Sequence, residues 1–140
     1  MKTSLRLNPP QALLYALITT AAVDRSIADD ELGRIGSMVR ELPVFSGYDG
    51  DWLMNEAQAC GKLLSKPPNG VDTVLDLVHD ALPRALYETA YVLCADIANA
   101  DRSVSAEEAR FLEKLALKLA LDKLVVAALD RAARARHMKA

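Results

Sequence analysis

The chain has 140 residues, enough for one hydrophobic core and too few for a catalytic domain with a separate regulatory one. Hydrophobic residues at 51% against 26% charged exclude a disordered chain. With 17 Lys plus Arg against 19 Asp plus Glu and a net charge of -2, the balance argues against a protein that coats nucleic acid.

Alanine and leucine dominate and aromatics are only 5%, which favours helices packed closely over small side chains. Pro9-Pro10 can open a first helix, and Leu13, Leu14, Leu17, Ile18 and Ala21 continue it at helical spacing to about Val23. A second helix is predicted from about Ala28 to Glu41, with Leu32, Ile35, Met38, Val39 and Leu42 on one face and Pro43 closing it. Val44 to Gly50 reads as a loop. Asp51 is the predicted N-cap of a third helix that runs to Ser65, before the breaker Pro67-Pro68-Asn69-Gly70. Val71, Val74, Leu75, Val78 and Leu82 mark a fourth. Pro83 reads as the first turn of a long fifth, continued by Leu86, Ala90, Leu93, Cys94, Ile97 and Ala98. Ser105 and Glu108 have capping-box spacing and open a sixth, to about Ala120. Asp122 can cap a seventh with Leu124, Val125, Ala128, Leu129 and Ala132 inward and a basic end at Arg131, Arg134, Arg136, His137 and Lys139. The expected fold is an all-α single domain, residues 1-140, of about seven helices.

Shifting the chain on itself by 77 residues superposes Asp24-Arg25-Ser26-Ile27 on Asp101-Arg102-Ser103-Val104, and Asp30-Glu31 on Glu107-Glu108. Ala21 then meets Ala98, Ile35 meets Leu112, Met38 meets Leu115 and Leu42 meets Leu119. The pattern is a duplicated helix-loop-helix, with units at about 12-42 and 89-119, related by a pseudo-two-fold axis.

In each unit a carboxylate, Asp24 or Asp101, ends the first helix, where the dipole disfavours negative charge. Two readings stay open. In one, the aspartate accepts from backbone N-H groups of a tight turn while Glu31 or Glu108 sits in the favourable first turn of the next helix. In the other, Asp24 with Glu31, and Asp101 with Glu108, hold a divalent cation such as calcium or magnesium, with Asp30 and Glu107 as outer charge. An EF-hand does not fit: Ala28 and Ser105 stand at a ligand position, Asp29 and Ala106 at the turn glycine, and Ile35 and Leu112 at the bidentate glutamate.

Two versions of one loop, Val23-Asp24-Arg25-Ser26-Ile27-Ala28-Asp29-Asp30-Glu31 and Ala100-Asp101-Arg102-Ser103-Val104-Ser105-Ala106-Glu107-Glu108, resemble the duplicated Ala-Asp-Gly-x-Ile/Val-x-x-x-Glu loop of the TerB-like tellurite-resistance family. The Leu42-Pro43-Val44-Phe45 turn, the Ala81-Leu82-Pro83 joint and the Ala133-Arg134-Ala135-Arg136 ending are similar to that family too. Arg25 and Arg102 depart from it, standing where the pattern has glycine, and each could neutralise its own acidic site. The resemblance implies a role in the response to tellurite and related stress, metal-ion sensing at the acidic loops, and work as a module beside other proteins in a membrane-associated complex. It implies no reaction.

Other residues point to no enzyme. His79 and His137 lie on separate helices without a neighbouring nucleophile; His79 reads as helix surface and His137 as part of a frayed terminus. A two-metal hydrolase built from the two loops would lack histidine ligands. Cys60 and Cys94 show no CxxC spacing and read as buried thiols of a reducing compartment. With no apolar leader and no span-length apolar run, the expectation is a soluble cytoplasmic protein without direct membrane insertion. Phe45 and Trp52 are expected to fold their loop onto the core, with an exposed partner-binding anchor of Trp52, Tyr48 and Phe45 as the rival. Asp49-Gly50-Asp51 reads as a turn and N-cap, or else a cation site. The basic C-terminal stretch either completes a helix end or touches an anionic partner, and nucleic acid is not expected.

Overall fold

A computed structural model describes residues 5-23, 29-100 and 104-140. Every regular element among them is helical: α1 (Pro9–Ala22), α2 (Asp29–Glu41), α3 (Gly50–Leu64), α4 (Gly70–Ala81), α5 (Tyr87–Asn99), α6 (Ala106–Lys118) and α7 (Lys123–Arg136), with short 3-10 turns at Pro43–Phe45 and Arg84–Leu86. No described helix is long and apolar enough to cross a membrane.

The core is built around α1. Asn8 Oδ1 accepts from Gln11 N at 2.9 Å and Gln11 Oε1 accepts from Asn8 N at 2.8 Å, a capping box around the two prolines. Every residue from Ala12 to Ala21 is buried, and α2, α3, α4, α5 and α6 all pack on this helix. Two of these residues are polar, and Thr19 and Thr20 satisfy their hydroxyls by donating to Tyr15 O and Ala16 O at 2.8 Å.

Helix ends follow the repeat. α2 and α6 start and stop 77 residues apart, as do the ends of α1 and α5. Packing is reciprocal as well: α2 lies on α1 and touches α5, while α6 lies on α5 and touches α1. That is the arrangement expected of helix pairs related by an approximate two-fold axis. The equivalent positions Ala21 and Ala98, Ile35 and Leu112, and Met38 and Leu115 are all buried. α3 and α4 cover α1, and α7 covers α5.

Four local expectations are corrected. Asp49, not Asp51, caps α3: its carboxylate accepts from Trp52 N at 2.9 Å, and Gly50 takes the first helical position. Pro83 does not begin α5; Leu82 is held extended ahead of the proline, Pro83 itself has ψ 150°, and the chain makes a separate turn before Tyr87. α6 stops at Lys118 because Ala120 takes a left-handed φ of 53°, with Leu121 N donating to Ala116 O at 3.0 Å. On α7 the inward residues are Val126, Leu129 and Ala133, whereas Leu124 is 79% exposed and Ala128 is exposed. Within the expected loop at 44-50, the Pro43–Phe45 turn buries Phe45 completely, and Trp52 stacks at 4.2 Å from Tyr48 while packing on the core.

Candidate functional site

Asp29, Asp30 and Glu31 are the first three residues of α2, where the free N-H groups and the positive end of the helix dipole favour carboxylates. Ala106, Glu107 and Glu108 hold the same positions of α6. The third residue of each set is the buried one: Glu31 is 7% exposed and Glu108 4%, whereas Asp30 and Glu107 lie in solvent. Burying a charge requires compensation. For Glu108 a capping box supplies part of it: Oε1 accepts from Ser105 N at 3.0 Å while Ser105 Oγ accepts from Glu108 N at 3.1 Å. Capping chemistry is therefore in place at the start of α6. Asp24 and Asp101, the other two expected ligands, lie outside the described residues, as do Arg25 and Arg102. Among the described residues no group of three or more His, Cys, Asp or Glu side chains is placed to hold a metal ion.

A cleft of about 520 Å³ opens at the start of α2, lined by Asp29, Asp30, Glu31, Arg34, Ser37 and Ala100. Ala100 is the C-cap of α5, so one cleft joins the beginning of α2 in the first unit to the end of α5 in the second. Among the described residues its lining carries three carboxylates and the guanidinium of Arg34, and carboxylate and carbonyl oxygens are the donors that hard cations take.

Compared with known proteins, the chain matches no family model, no curated protein and no solved structure. Its own geometry is thus what bears on function.

Neither histidine is among the residues that line the cleft. His79 is exposed, with Nδ1 at 3.8 Å from Asp80. His137 corrects the expectation of a frayed end: its side chain is 14% exposed and Nε2 lies 3.4 Å from Asp96 Oδ1, which also accepts from Arg136 Nε at 3.1 Å and Nη2 at 2.8 Å. This polar clasp between α5 and α7 was not foreseen, and neither were two buried tyrosines that tie the central helices to their covers. Tyr15 donates to Glu56 on α3 at 3.2 Å, and Tyr91 donates to Asp130 on α7 at 2.7 Å. Burial, reinforced by the adjacent carboxylate, pushes both phenols above their ordinary range. A tyrosine inside an apolar stretch of each central helix, residues 13-18 and 90-95, was the available signal, since a buried hydroxyl needs a partner.

Cys60 and Cys94 are fully buried, and burial pushes both thiols up to about 12, even though the Thr19 and Thr20 hydroxyls work in the opposite direction. Thiols held protonated in the core are neither nucleophiles nor metal ligands.

Proposed function

We propose that this chain is a non-enzymatic, TerB-like binding module that takes a divalent cation, calcium or magnesium, at its two acidic loops, with Asp24 and Glu31 as ligands at one and Asp101 and Glu108 at the other. In this reading it serves the response to tellurite and related stress, in the cytoplasm, by presenting a cation-dependent surface to other proteins of a membrane-associated complex. One observation carries the reading: in two helix pairs of matching register, the one buried carboxylate sits at the same third position of α2 and of α6. Repeating a buried charge at equivalent places is costly unless both loops use it.

A second reading is supported by the capping box of Glu108, which gives that buried carboxylate a structural role at the start of α6. The module would then be metal-independent and dock a basic partner through its acidic cleft. Thermal unfolding of chelator-treated protein, with calcium, magnesium, manganese or zinc added back, separates the two. A selective rise in midpoint that the Asp24→Asn/Asp101→Asn variant loses supports the cation, because only a ligand of the native state stabilises it by mass action. No rise with any ion, together with a partner that is captured at low salt and released at high salt, supports the interaction module instead. A metal-dependent hydrolase would require phosphate-ester turnover that Asp101→Asn abolishes.

A further inference from the structure

α7 packs chiefly on α5, through Val126, Leu129 and Ala133, with Asp130 turned to Tyr91 and Arg136 and His137 to Asp96. Its remaining surface is exposed: Lys123, Leu124, Ala127, Ala128, Arg131, Arg134 and Ala135. At about 100° per residue these seven fall in one arc of about 140°, with Lys123 and Arg134 at one edge, Leu124, Ala128 and Ala135 at the other, and Arg131 between. The arc carries cations and apolar groups and no carboxylate. Lys123, Arg131, Arg134 and, beyond the helix, Lys139 form no ion pair with any described residue. The largest apolar exposures among the described residues fall in this same stretch of chain. Leu117, on the last turn of α6, is 81% exposed, Leu124 is 79% and Met138 is 74%.

We infer that the outer face of α7 is an adsorption surface for bilayers with anionic headgroups. Charge complementarity argues for the occupant: three cations that form no ion pair with any described residue share one arc of a chain whose net charge is -2, and lipid phosphates attract them. The apolar residues decide between polyanions. A nucleic-acid backbone gives Leu124 and Leu117 nothing to enter, whereas the boundary between headgroup and acyl chain accepts leucine side chains beside cations. The mode is peripheral, in keeping with the absence of a membrane-spanning helix among the described residues.

The test is co-sedimentation with vesicles of phosphatidylcholine alone and of equal parts phosphatidylcholine and phosphatidylglycerol, at low and high salt. The protein should sediment with the mixed vesicles at low salt and stay in solution with the neutral ones. One cation near an anionic surface changes partitioning about fivefold, so Arg131→Gln/Arg134→Gln should weaken it about twenty-five-fold and Lys123→Gln about fivefold. Leu124→Ser leaves charge unchanged and should cost about tenfold. All four positions are exposed, so the variants should keep the wild-type circular dichroism and midpoint. Failure to sediment with the mixed vesicles would overturn the inference. So would sedimentation indifferent to Leu124→Ser with equal retention on duplex DNA, which would make the face a site for polyanions in general.

Discussion

Gly70 is where the start of α4 meets the end of α3, and replacing it with alanine should be among the most damaging single-methyl changes in the molecule. A Cβ at that position would lie 2.2 Å from the Leu64 carbonyl oxygen, 2.6 Å from its carbon and 2.8 Å from the Leu63 oxygen. Carbon and carbonyl oxygen approach to roughly 3.3 Å even in attractive contacts, so the two helix ends must separate by about 1 Å. All three obstructing atoms are backbone, and no rotamer change relieves them. α3 and α4 both pack on α1, and Val74, Leu75 and Val78 carry the α4 side of the core. A gap of 0.5–1 Å forfeits about a quarter to a half of a dispersion contact. The expected cost is about 2–3 kcal/mol, the upper part of the overpacking range. With an unfolding entropy of roughly 2.1 cal/mol/K per residue, that lowers the midpoint by about 7–10 °C. Gly61 is the control, since it is exposed within α3 and a Cβ there meets nothing within 4 Å. Gly61→Ala should stabilise by about 0.5–1 kcal/mol. Urea unfolding followed at 222 nm measures both. Wild-type stability of Gly70→Ala would refute the close approach of α3 and α4, and a destabilised Gly61→Ala would refute the reasoning from free space.

Ser105→Ala removes one half of the α6 capping box and should cost about 1 kcal/mol by urea unfolding. Glu108→Gln keeps an acceptor for Ser105 N-H and should cost less than Glu108→Ala, and the reverse order would mean that the charge rather than the cap holds this residue. Ala120 adopts a left-handed φ of 53° in an exposed turn, so Ala120→Gly should stabilise by about 1 kcal/mol, and a lowered urea midpoint would contradict the strain. For the thiols, the folded value near 12 stands above the ordinary 9.0. The native state therefore holds protons that the unfolded chain releases. Stability should be full below pH 9 and decline as pH rises toward 12, by about 1.4 kcal/mol per pH unit for each thiol. Urea midpoints between pH 8 and pH 10 measure this, and the slope should flatten in Cys60→Ala/Cys94→Ala. An unchanged slope in that variant would show that the thiols are not its source.

The parts of the fold legible in the sequence were those where one local rule decides. Ser105 and Glu108 specify where α6 begins whatever surrounds them, and the displacement by 77 residues transfers that boundary to α2. Boundaries set by competition were harder to see. Asp49 and Asp51 can each cap α3, and the choice fell to the residue that leaves Gly50 inside the helix rather than before it. Pro83 suits a first turn, yet its own extended ψ, acting with the restraint that it puts on Leu82, makes a corner there instead. On α7 the periodicity could not choose a face, because Leu124, Val125, Val126, Ala127, Ala128 and Leu129 form a continuous apolar run. The face was chosen by polar partners that lie far off in sequence, Tyr91 for Asp130 and Asp96 for Arg136.

In the proposed cation-binding reading, the structural role of Glu108 bears on the ligand as well. The cap of α6 holds Oε1 of Glu108 against Ser105 N-H. It fixes the direction of the carboxylate and lowers the ordering cost that a ligand of the same group would meet. A cation bound at that loop would share an oxygen already oriented by Ser105 N-H, so its affinity and the stability of the first turn of α6 would rise together. Weakening the cap with Ser105→Ala should then weaken the cation's stabilising effect without touching a ligand. Coupling of that kind suits a module that reports an ion by firming a helix start, and on α2 the buried Glu31 holds the matching position beside the cleft that reaches Ala100.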